Sequence, residues 1–163
     1  MKLYGITGWK NSGKTHLMTR LIAHFTAAGL GVSSVKHAHH LAETDHEGTD
    51  SHRHRDAGAR EVLLASPTRW ALMHELRGAS EPPLEDLLAR LSPVDLVLIE
   101  GYKRAPHPKI EAHRGESGQP LLASLHTSIR AVASDTKPAT ALPIFELDDT
   151  AAIAAFIARE VGL

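Results

Sequence analysis

The sequence predicts an α/β fold built on a mainly parallel sheet, and three features carry that expectation. Strand-like and helix-like segments alternate from one end to the other. The run 94–102, "VDLVLIEGY", is nearly unbroken in its apolar character, as in a central parallel strand buried on both faces. The stretch 8–15, "GWKNSGKT", puts two glycines, a lysine and a threonine between the first strand and the first helix.

In chain order, "KLYGIT" (2–7) reads as a short apolar strand. From Lys14 to Ala28, Leu17, Met18, Leu21, Ile22 and Phe25 recur at helical spacing, and Gly29 and Gly31 stop the helix. "VSSVKH" (32–37) is a second strand, and 38–50 a long polar loop. A short helix follows from Asp50 to about Ala57, with Asp50 or Ser51 as its cap. "EVLLAS" (61–66) and "RWALMHEL" (69–76) form a β-hairpin around Pro67-Thr68. Pro82-Pro83 opens a helix that places Leu84, Leu87, Leu88 and Leu91 on one face. After the strong strand at 94–102, further strands are expected at 108–112, 129–134 and 143–147, with a loop at 115–120. Asp148 or Asp149 caps a last helix that turns Ile153, Phe156, Ile157 and Val161 inward. No repeat or linker divides the chain, so 1–163 reads as a single domain.

Composition narrows the function. A formal net charge of −1 gives no reason to expect a nucleic-acid or membrane partner. No apolar run approaches the ~20 residues that span a bilayer. The opening "MKLYGITG" is broken by glycine too early for a signal-peptide core. Cysteine is absent, which excludes disulfides, thiolate metal sites and thiol nucleophiles. A cytoplasmic protein is the expectation.

The stretch 8–15 fits G-x-x-x-x-G-K-[ST], the P-loop, and so points to a P-loop NTPase-like domain. A polyphosphate is best held by several backbone N–H groups pointing inward, and only a tightly curled loop presents them. Gly8 and Gly13 permit the curl, with Asn11 and Ser12 inside it, and the following helix adds its unpaired N–H groups and positive end. Lys14 would reach the β- and γ-phosphates, and Thr15 would give its hydroxyl to Mg²⁺.

Other residues complete a nucleotide site. Glu100 ends the strongest strand where the Mg²⁺ shell is expected, although Asp is the usual residue there; Lys103 follows in a loop. Asp45 and Asp50 sit in a segment that could act as a switch, with Asp50 the candidate for a water-mediated metal contact. Arg53 and Arg55 follow and could pair with phosphate or cover a solvated face. A guanine-reading N-K-x-D segment is impossible, because Asn11 is the one asparagine in the chain. Asp135, just past the strand "AVAS", lies on the ligand edge of a parallel sheet and could accept from guanine's ring N–H and amino group. Twelve histidines are present, six of them between 37 and 54: His37, His39, His40, His46, His52 and His54. Such a density could bind Zn²⁺ or Ni²⁺, but the spacings are irregular and no cysteine helps. His37 stands apart, placed directly after a strand.

Together, "GWKNSGKT", "VKHAHH", "DHEGTDSHRHRDAGA", "RWALMHE", "LVLIEGYK" and "AVASD" resemble the molybdopterin-guanine dinucleotide biosynthesis adaptor (MobB) family, in order over roughly 1–150. The resemblance implies a small GTP-binding homodimer with weak GTP hydrolysis. It also implies a partner, the guanylyltransferase enzyme that joins GMP to molybdopterin. By position, Gly8, Gly13, Lys14 and Thr15 would hold phosphate and Mg²⁺, Asp50 and Glu100 would lie near the metal, and Arg55 would take the place of the family's arginine, a catalytic candidate with Lys14. The strand pair at 61–76 resembles the family's dimer-forming element, and its Trp70, Leu72 and Met73 need cover. Hydrolysis is expected to be slow, because the single glutamine, Gln119, lies far from the switch. The rival readings are a metallochaperone GTPase using the 37–54 histidines and a small-molecule kinase. Lys103, Arg104 and Arg114 are too sparse for a convincing kinase lid.

Overall fold

The computed structural model describes residues 1–38 and 45–163, so His39 and His40 of the histidine-rich stretch lie outside the described residues. The chain's contacts fall into two compact units: Met1–Ala38 with Ser92–Leu163, and His39–Leu91, of which 45–91 are described.

The first unit is a six-stranded sheet in the order β2-β5-β1-β6-β7-β8, made of β1 (Lys2–Thr7), β2 (Val32–Lys36), β5 (Leu96–Glu100), β6 (Lys109–His113), β7 (Ile129–Ser134) and β8 (Ile144–Glu146). Every pairing is parallel. This is the α/β architecture that the alternating pattern predicts. The strongest apolar run became β5, buried at all five positions, although the strand is shorter than 94–102.

Helices α1 (Lys14–Ala27) and α4 (Thr150–Val161) share one hydrophobic core on one face of this sheet. Leu17, Met18, Leu21 and Phe25 of α1, and Ile153 and Ile157 of α4, pack there with Tyr4, Ile6, Leu98 and Ile110. Each such side chain contributes about 1.5–3 kcal/mol on burial. Asp149 caps α4 by accepting from the Ala152 N–H at 3.0 Å. Arg20 ties α1 to the chain just before α4, donating to Asp148 Oδ1 and to the Leu147 carbonyl, each at 2.6 Å.

The opposite face of β6 is polar yet buried, carrying Lys109, Glu111 and His113. Irregular backbone packs here, anchored by charge. Glu111 accepts from the N–H groups of Leu122 and Ala123, both at 2.8 Å. Lys109 donates to the carbonyls of Ala105 (2.5 Å) and His107 (3.0 Å) and to Ser128 Oγ (3.0 Å). Burial lowers the Lys109 pKa to about 8 and, with the Lys109 charge as a second cause, that of His107 to about 4.

The second unit holds α2 (Asp50–Asp56), the hairpin of β3 (Glu61–Ala65) and β4 (Trp70–His74), and α3 (Leu84–Leu88). The hairpin is antiparallel, with Leu63 opposite Leu72 and Ala65 opposite Trp70. Helix α2 is capped by neither Asp50 nor Ser51: Thr49 accepts from the His52 N–H at 3.3 Å, and Asp50 is the first helical residue. Helix α3 has a single buried leucine, Leu84, and ends before Leu91.

Candidate functional site

Between the end of β1 and the start of α1 the chain curls on itself. Gly8 adopts φ +147° and Gly13 φ +90°, and Asn11 takes a left-handed φ of +62°, which asparagine tolerates. A Cβ on Gly8 would lie 2.4 Å from the Ala112 carbonyl oxygen and 2.4 Å from Ser12 Oγ, so no side chain fits there. Helix α1 opens with no side-chain cap and no acidic residue in its first turn. Its leading N–H groups and positive end are therefore available to an anion. Ser12 Oγ is buried, with Ser12 only 1% exposed, and finds no hydrogen-bond partner among the described residues.

The sheet brings two more side chains to this curl. Glu100 ends β5, opposite Ile6, and Arg114 follows the end of β6, so the two flank β1 from opposite sides. A cavity of about 450 Å³ results, lined by residues 10–16, Glu100 and Arg114. A larger cavity, about 650 Å³, lies beside Arg104, Ser128 and Arg130, but there Arg130 is already paired with Glu160 at 3.2 Å. Size alone does not identify the site; the curl does.

The cavity is electropositive. Lys14 Nζ donates to the Trp9 carbonyl. Burial pulls the Lys14 pKa below the ordinary lysine value; Glu100 opposes that, and Lys103 and Lys36 add to it. Lys36 Nζ lies 3.5 Å from Glu100 Oε1. Lys103 sits over the Trp9 ring, 4.4 Å from its centroid, and the Trp9 indole N–H donates to the Pro120 carbonyl at 2.7 Å. Thr15 Oγ1 donates to Glu100 Oε1 at 2.9 Å. A hydroxyl and a carboxylate so paired suit a divalent cation that takes its other ligands from phosphate oxygens and water. Among the described residues no group of three His, Asp or Glu side chains could hold a metal ion.

Of the residues expected at the site, the structure brings together Gly8, Asn11, Ser12, Gly13, Lys14, Thr15 and Glu100. Asp135 lies just past β7, where Oδ1 accepts from the Gly115 N–H at 2.9 Å and Oδ2 stands 3.6 Å from Arg114. Asp50 and Arg55 belong to the second unit. Asp50 is exposed, 3.7 Å from Arg53, while Arg55 donates to Glu75 at 3.0 Å and lies 3.8 Å from Asp45. The His37 ring stacks on Tyr102 at 4.5 Å. Sequence reasoning passed over Lys36 and weighed Arg114 only for a kinase lid, not for this cavity. The available signal was position: each stands at the end of a strand of the parallel sheet.

The family model described as molybdopterin guanine dinucleotide synthesis protein B, MobB, matches residues 3–135. The molybdopterin-guanine dinucleotide biosynthesis adapter protein of Haemophilus influenzae is 45% identical over 122 residues, covering 73% of this chain and 67% of that protein. Its namesake from Escherichia coli is 34% identical over 158 residues, covering 95% and 90%. A crystal structure of a MobB homolog from Bacillus stearothermophilus superposes with a TM-score of 0.73 at 30% identity, covering 99% of both chains. A crystal structure of a molybdopterin-guanine biosynthesis protein B gives 0.76 at 27% identity, covering 97% of this chain and 99% of that one. With sequence and fold in agreement over nearly its whole length, the chain belongs to the MobB family.

Proposed function

We propose that this protein is a GTP-binding adaptor of molybdopterin guanine dinucleotide biosynthesis, working beside the enzyme that attaches GMP to molybdopterin. The observation that carries the nucleotide reading is the curl at 8–15, in which a desolvated Lys14 and an uncapped helix start border one cavity. Lys14 neutralises the β- and γ-phosphates, and Thr15 with Glu100 would hold Mg²⁺. That ion would shield the phosphate charge. Asp135 keeps outward lone pairs at 36% side-chain exposure, which suit guanine's N–H donors and repel adenine's acceptor. Hydrolysis is slow: Gln119 is exposed in the 115–120 segment, and Arg55 is engaged by Glu75.

Calorimetric titration with GTP and ATP in magnesium buffer tests this. Lys14→Ala is expected to weaken GTP binding roughly 30-fold, as for loss of one charge-assisted contact. Asp135→Ala should narrow the preference for GTP over ATP. A wild-type protein that binds neither nucleotide would remove the proposal.

We further propose that the hairpin of the second unit forms the homodimer contact. Leu63, Leu72 and Trp70 share one face of the two strands and are 62%, 42% and 67% exposed. Exposed apolar patches of this kind mark interaction surfaces. The double substitution Leu63→Asp with Leu72→Asp should convert a dimer to a monomer in sedimentation velocity; a dimer that survives it would place the interface elsewhere.

A further inference from the structure

Arg114 stands outside the P-loop motif, and its surroundings are unusual. Its guanidinium lies against the start of α1: a Cβ on Gly13 would come within 3.6 Å of Nε and 3.8 Å of Nη2. A fixed cation at the positive end of a helix is repelled unless an anion lies between them. Helix α1 supplies none, since its first turn holds no acidic residue. Asp135 is the carboxylate at hand, but its Oδ2 stands 3.6 Å from Nη1, beyond good hydrogen-bond range, and its Oδ1 is taken by the Gly115 N–H. The guanidinium is about one-third exposed and makes no hydrogen bond among the described residues. The guanidinium and the uncapped start of α1 thus border one space.

We propose that Arg114 is a phosphate-binding residue of this site, and that it holds the α- and β-phosphates and not the γ-phosphate. The inference rests on the P-loop reading and extends it. The division of labour follows from strand order. Glu100, Thr15 and Lys36 lie on the β5 side of β1, and the charges that perturb Lys14 are Glu100, Lys103 and Lys36. The metal and γ-phosphate end therefore belongs to the β5 side. Arg114 stands on the β6 side, over Gly13, with Asp135 beyond it at the end of β7. A nucleotide lying across the strand ends has its triphosphate tip toward Glu100 and its base toward Asp135, which leaves the α- and β-phosphates beneath Arg114. A planar guanidinium suits that place, because it can hold oxygens of two adjacent phosphates at once.

The test compares GTP and GDP binding, in magnesium buffer, to the full chain and to Arg114→Ala and Arg114→Lys. The alanine variant is expected to bind both nucleotides about 10- to 100-fold more weakly, with the GTP-to-GDP affinity ratio kept, and the lysine variant to regain part of the loss. Should Arg114→Ala not fold, Arg114→Gln keeps the stem over Gly13 and reads the same loss. Undiminished GDP binding, or a loss confined to GTP, would overturn the inference while leaving the P-loop reading intact. A wild-type chain that binds neither GTP nor GDP would overturn both.

Discussion

Gly8→Ala is expected to lower GTP affinity by more than about 100-fold, because it displaces the phosphate cradle by the order of an ångström. The added carbon would lie 2.4 Å from a backbone oxygen, that of Ala112. A backbone atom in the adjacent strand cannot swing aside as the end of a flexible side chain could. The residue also sits at φ +147°, where any side chain is strained. The curl must therefore lift off β6 and carry its N–H groups with it. Titration calorimetry of Gly8→Ala beside Gly29→Ala measures the effect. Gly29 shares a positive φ, +85°, but its added carbon would meet nothing within 4 Å, so that variant should bind GTP like the parent. Retained affinity in Gly8→Ala would mean the loop is not the cradle.

The second large effect concerns stability. Glu111→Ala is expected to destabilise the fold by about 3 kcal/mol, as the buried Leu122 N–H and the half-buried Ala123 N–H lose their acceptor. For a chain of this length that lowers the melting temperature by roughly 6–12 °C. The Glu111 carboxylate is fully buried and is the acceptor for the first turn of 3-10 helix at Leu122–Ser124. Glu111→Gln keeps one acceptor oxygen and should recover part of the loss. A thermal melt followed by circular dichroism decides it; an unchanged midpoint for the alanine variant would show that water replaces the carboxylate without cost.

These two residues mark the limits of what the amino-acid sequence discloses. The curl at Gly8 was legible because its motif is local: its glycines, lysine and threonine stand at fixed offsets between a strand and a helix. The β5 strand was legible for a similar reason, since a strand buried on both faces needs an unbroken apolar run. The run "KIEAH" of β6 lacks that signature. Its alternation of polar and apolar residues is that of a half-solvated strand, yet all five residues are buried. The reason is non-local: Lys109 and Glu111 find partners in the segments 105–107 and 122–128, which no spacing rule connects to them. The position of Arg114 was illegible on the same ground. Counting arginines in 103–114 tests for a kinase lid and says nothing of a guanidinium delivered to Gly13 by strand order. Asp50 shows a local miss, because Thr49 took the capping role through a hydroxyl one residue earlier.

Trp9 and Trp70 are the two tryptophans of the chain, and they fall in different units. Trp9 lies within the curl itself, its indole tied to Pro120 and shadowed by the Lys103 ammonium, while Trp70 stands in the open on the hairpin. The molecule thus carries one native fluorophore at the cavity beside the curl and another on the apolar strand pair. Their emission bands, separated by replacing either indole with phenylalanine, offer two optical readouts, without any attached dye, for the nucleotide binding and self-association proposed above.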